Sequence, residues 1–182
     1  MTHQEFLDML EQQVEEQLKE VISVFQNLPE DRLLQPAKDG GWSIAECFAH
    51  LNSYADFYLP RIEKAIEKAP SGGESPIFRN GLLGQYFINM MDPDRSKKKF
   101  KAMKKHRPMD VDDPYRIVSS FIQHLENILR LLNVSKQKNL SKTSVATSIS
   151  PLLKINAGDA LLFVLTHNRR HLVQAKRNIN SA

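Results

Sequence analysis

Cysteine is almost absent from this chain: Cys47 is the only one in 182 residues. An intramolecular disulfide and a cysteine-built zinc ribbon are both excluded. Glycine is scarce too, with seven residues that fall mostly between apolar-periodic stretches, which argues against a sandwich of many short strands. No apolar run approaches the roughly 18 residues needed to span a bilayer. No basic-then-apolar leader opens the sequence. A cytoplasmic, reduced protein without membrane association is the expectation.

The residues that are present describe an ordinary globular chain, 41% hydrophobic and 25% charged. At this length one domain covering 1–182 is expected, with enough chain to bury a sizeable core. The net charge of +4 is unevenly placed. Residues 95–107 carry eight Lys/Arg and no acid, which leaves the rest of the chain at −4. A globally basic nucleic-acid binder would not look like this. The run holds one aromatic, Phe100, too few for a single-strand stacking platform, and no helix-turn-helix or zinc-finger pattern accompanies it. A solvated basic face is the simpler reading, and no specific nucleic-acid partner is expected.

Helical signals dominate. Thr2-His3-Gln4-Glu5 is a capping box, followed by an apolar stripe through Leu7, Leu10, Val14, Leu18, Val21, Phe25 and Leu28 that Pro29 ends. A second capping box, Ser43-Ile44-Ala45-Glu46, opens a helix expected to stop before Pro70 and to kink at Pro60. Trp42 stands before that cap as a hydrophobic staple. Asp113-Pro114 starts a third long helix, and a fourth begins near Asn156, with Asp159 in its first turn. Residues 134–150 are Ser/Thr/Lys-rich and predict a loop. Residues 70–112 form an irregular insert with one short helix over Leu82–Met91. The fold class is all-α: a four-helix bundle with a partly helical insert between its second and third long helices.

Three histidines fall on core-facing edges. His167 and His171 are four apart, hence one turn apart on one helix face. His50 occupies a similar edge of the second long helix, beside Cys47 and Tyr54. Neutral imidazole suits zinc, nickel or iron, and three ligands leave a coordination position open. Core histidines with ordinary hydrogen-bond partners are the competing reading. Tyr54 and Tyr58 extend the His50 face and either line a pocket or pack in the core. Gln174 either orients His171 from behind or packs as a polar neighbour. Cys47 reads as a buried structural cysteine, Glu46 as a cap, and His3, His106 and His124 as surface or local-network residues.

Two segments carry a family resemblance. Trp42-Ser43-Ile44-Ala45-Glu46-Cys47-Phe48-Ala49-His50-Leu51 resembles the W-S-x-x-E-x-x-x-H-L signature of the DinB/YfiT-like superfamily. His167-Asn168-Arg169-Arg170-His171-Leu172-Val173-Gln174 resembles its H-x-x-x-H-L-x-Q closing motif. The resemblance implies a bundle that binds one divalent metal through His50, His167 and His171. It also implies a thiol-dependent S-transferase using a low-molecular-weight thiol of the bacillithiol or mycothiol kind on an electrophile, or a metal-dependent hydrolase. A homodimer is the expected assembly. The alternative is a non-catalytic bundle, its metal structural or incidental, acting through protein–protein contacts.

Overall fold

The computed structural model describes residues 1–72, 77–98, 100–109 and 111–180. Six α-helices carry the chain: α1 (His3–Glu20), α2 (Glu30–Leu34), α3 (Ile44–Glu67), α4 (Leu82–Met91), α5 (Pro114–Ser135) and α6 (Ala157–Asn180). The four long ones form a ring in which α3 packs on α5 and α6, and α1 closes the circuit against both. This is the expected four-helix bundle. Its core is built from the predicted stripes, with Leu10, Val14, Phe48, Ile62, Leu125 and Leu165 fully buried. No helix among the described residues is long and apolar enough to cross a membrane.

Local signals set the helix ends. Both capping boxes form: the Thr2 hydroxyl accepts from the Glu5 amide and the Ser43 hydroxyl from the Glu46 amide, with each glutamate reaching back to the cap amide. Each satisfies amides that a helix start would otherwise leave orphaned. The Asp113 side chain caps α5 in the same manner, with Pro114 in the first turn. The α3 helix runs unbroken through Pro60.

Three features depart from the expected pattern. The first helix does not stay α-helical to Pro29: Val21–Phe25 is a π-helical segment. This insertion rotates the apolar stripe, leaving Val21 and Phe25 buried but Leu28 only partly so. The short helix α2 follows directly after Pro29. The predicted loop at 134–150 contains β1 (Ser144–Ala146), which pairs antiparallel with β2 (Lys154–Asn156), Val145 opposite Ile155. Both of these residues are buried, so three residues of strand suffice to seal one end of the core. A segment this short shows no usable alternation in the sequence.

The insert lies across α6. Its helix α4 packs on α6 and β2, and Asp159, at the start of α6, gathers the approach to it. The fully buried Asp159 carboxylate accepts from the Asn80 side chain (2.7 Å), the Gly81 amide (2.8 Å) and the Asn156 side chain (2.7 Å). Burial pushes its pKa up, and the Gly81 and Asn80 hydrogen bonds oppose the rise. Beyond α4, Arg170 of α6 donates to the carbonyls of Ser96 (3.0 Å) and Lys98 and sits over the Phe100 ring. Arg169 pairs with Asp92 and Asp94. The basic segment is thus strapped down by its backbone, while Lys97, Lys101, Lys104 and Lys105 remain exposed.

Candidate metal centre

On α3, His50, Tyr54 and Tyr58 follow one another at four-residue intervals. On α6, Phe163, His167 and His171 do the same. Because α3 and α6 pack together, these two ladders meet inside the bundle. The structure brings His50, His167 and His171 into one cluster whose candidate ligand atoms all lie within 4.8 Å of one another. The Nε2 atoms of His50 and His167 stand 3.3 Å apart.

Hydrogen bonding decides which nitrogen faces inward. The Nδ1 of His50 lies 2.6 Å from the main-chain carbonyl of His106. A carbonyl only accepts, so Nδ1 carries the proton and Nε2 presents its lone pair. His171 repeats the arrangement by donating from Nδ1 to the Gln174 side-chain oxygen at 2.9 Å. His167 is held differently. Its ring packs between Tyr54 (4.3 Å between centroids) and Phe163 (5.9 Å, nearly parallel), and its Nδ1 is buried without a partner among the described residues. Two Nε2 lone pairs facing each other at this distance repel unless a proton or a cation lies between them.

Burial keeps the imidazoles neutral. It is the largest cause of a lowered pKa at His50, opposed there by the hydrogen bond to His106. It holds His167 well below the ordinary range, with help from His171 and His50. It pushes His171 down to about 3, with His50 adding to the effect and Gln174 opposing it. Neutral imidazoles with inward lone pairs are the protonation state that a divalent ion requires. The three histidines can therefore hold one metal ion.

Residues assigned other roles by the sequence complete the surroundings. Trp42, expected as a staple, lies with its ring 4.8 Å from that of His50 and 5.8 Å from that of His171. His106 is not a surface residue. It is 3% exposed, its Nδ1 lies 2.8 Å from the Ser53 hydroxyl, and its ring rests 4.1 Å from Tyr54. No sequence pattern announces it, because what it supplies to His50 is a main-chain carbonyl. Cys47 stays in the core and outside the cluster. Burial, reinforced by the nearby Glu46, pushes its thiol up to about 12. Glu46 acts as the expected cap, His3 meets the Ser135 carbonyl and His124 meets Asp56.

Comparison with curated proteins and with solved structures returns no match. The sequence profile of the DinB superfamily, by contrast, matches residues 13–175, a span that takes in His50, His167, His171 and their supports. The chain belongs to the DinB superfamily.

Proposed function

We propose that this protein binds one divalent metal ion through the Nε2 atoms of His50, His167 and His171 and acts as a thiol-dependent S-transferase, with metal-dependent hydrolysis as the variant chemistry. The observation that carries the reading is the pair of oxygen acceptors behind the cluster. The His106 carbonyl and the Gln174 side chain each occupy the outer nitrogen of a histidine, so both lone pairs converge. Such outer partners fix the tautomer and orientation of ligand histidines. When bound, the ion supplies Lewis acidity that lowers the pKa of a thiol or a water at the open position. The chain itself contributes no thiolate, since Cys47 is buried and protonated. On this reading the nucleophile comes from outside the chain: a small thiol that attacks an electrophile, as the family resemblance implies, or water in the hydrolytic variant.

Metal analysis of protein purified without a histidine tag tests the reading, repeated on His167→Ala. Stoichiometric metal that is lost in the variant is the expected result. In a cobalt-substituted form, a small thiol should bring in a thiolate-to-cobalt charge-transfer band. Metal absent from the wild type, or retained undiminished in His167→Ala, would overturn the site. A cobalt spectrum indifferent to thiols would leave hydrolysis as the remaining chemistry.

A further inference from the structure

The two longest stretches of the chain without a charged or histidine residue, 80–91 and 143–153, come together on one surface. The first contains α4, and the second holds β1 and the turn that leads into β2. The α4 helix packs on β2. At one end the Asp159 carboxylate ties them together by accepting from the Gly81 amide and the Asn156 side chain. At the other end Ile149 of the turn shares a small cleft with Met90 and Met91 of α4.

Large apolar side chains stand out of this surface. Leu82 is 95% exposed and Leu152 is 90% exposed. Tyr86, one turn after Leu82, and Ile149 are exposed as well. Single apolar residues scattered over a surface need no explanation. Here they occupy two adjoining elements, and neither segment supplies a charge.

Cations border the surface. Arg79 precedes α4 and Lys154 opens β2, and both are exposed. The Ser148 hydroxyl lies 3.9 Å from the Met103 sulfur of the strap, which adds the exposed Lys104 to the border. Asp92 and Asp94, just beyond α4, are engaged by Arg169 and Arg95.

This combination narrows what can cover the face. A two-fold contact between copies sets the same patch against itself, so cationic border would meet cationic border. A protein partner would need holes cut to match leucines that stand almost free of their neighbours. A bilayer surface deforms around such side chains, and its anionic headgroups attract the cations. A protein that lies on a membrane needs no spanning run, so the lack of one bears on spanning alone.

We infer that the face formed by α4 and the turn 147–153 docks on anionic lipid membranes. Leu82 and Leu152 enter the interfacial layer, while Arg79, Lys104 and Lys154 meet the headgroups. None of the three metal-facing histidines belongs to this face, so the docking stands or falls apart from the metal reading.

Cosedimentation of the full chain with sucrose-loaded vesicles provides the test. Vesicles of equal parts phosphatidylcholine and phosphatidylglycerol should carry the protein down. Phosphatidylcholine alone should bind it at least about tenfold more weakly, because each basic residue near an anionic surface adds to the attraction. Added salt should weaken the binding to mixed vesicles. Leu82→Ser combined with Leu152→Ser should lower the partition coefficient by at least about tenfold through lost apolar burial, with the melting temperature unchanged. Arg79→Glu combined with Lys154→Glu should remove most of the preference for phosphatidylglycerol. No sedimentation with mixed vesicles, equal binding to phosphatidylcholine alone, or undiminished binding in either double variant would each overturn the docking face. A wild-type dimer in light scattering that the leucine variant converts to a monomer would assign the face to a second copy and overturn it too.

Discussion

The Nδ1 atom of His50 lies 2.6 Å from the main-chain oxygen of His106, 56 residues further along the chain. One residue belongs to the bundle and the other to the basic insert, so the insert takes part in aiming a metal-facing imidazole. His106 is kept in place by the Ser53 hydroxyl at its own Nδ1 and by the Tyr54 ring. Arg170 ties down the strap that leads to it. The insert is thus a structural component of the centre, although none of its described residues lends a side chain to the histidine cluster.

The oxygen acceptor behind His171 is a side chain and can be removed directly. Gln174→Ala should leave the fold intact and weaken metal binding by about 10–100-fold, the usual consequence of losing an outer partner of a ligand histidine. Competition with a chromophoric chelator measures this. Unchanged affinity would show that Gln174 merely packs against the ring.

Stability of the metal-free protein should fall as the solution is acidified. In the unfolded chain a histidine titrates near 6.5, whereas burial pushes folded His171 down to about 3 and folded His106 to about 4, and lowers His50 and His167. Below 6.5 the unfolded state takes up protons that the folded state refuses, so the stabilisation present above 6.5 is lost as pH descends towards about 3–4. Urea midpoints across this range provide the measurement, with His171→Asn showing a shallower decline. A decline of the same steepness in that variant would mean that His171 is not a source of the effect.

At Gly84 the absence of a side chain has a local cause. A Cβ built there would sit 2.1 Å from the Asp159 carboxylate oxygen and 2.6 Å from the Asp159 Cβ. Gly84→Ala should therefore push α4 away from the start of α6 and cost about 1–3 kcal/mol, as overpacking in a filled interior does. Thermal melting reads the loss. A variant as stable as the wild type would show that the α4–α6 contact is slack.

Cys47 should be inert in the native state. It is 1% exposed, and its thiol is raised to about 12, so neither access nor thiolate is on offer. Iodoacetamide should modify it only at the rate of unfolding, followed by mass spectrometry with and without denaturant. Rapid native labelling would place the thiol at an accessible position and reopen its part in the chemistry.

Much of the architecture was legible because it is written in local terms. The capping boxes at Thr2 and Ser43, the proline at the start of α5 and the short helix over Leu82–Met91 all depend on residues a few positions apart. The π-helical segment at Val21–Phe25 escaped, because apolar residues at three- and four-residue spacings fit an α-helix equally well. The Ser144–Ala146 strand escaped because its pairing is with Lys154–Asn156, across a turn, rather than with its own neighbours.

For the site, the sequence by itself determined that His167 and His171 share a helix face and that His50 lies on the inner edge of another, since helical phase follows from spacing alone. Only the tertiary structure decided that the two faces meet, which nitrogen each ring turns inward, and what stands behind them. Those outcomes depend on contacts between distant segments: a carbonyl from the insert and Trp42 across two imidazoles. A backbone oxygen is carried by every residue, so no choice of side chain at position 106 could have announced its role. Packing singled out that one.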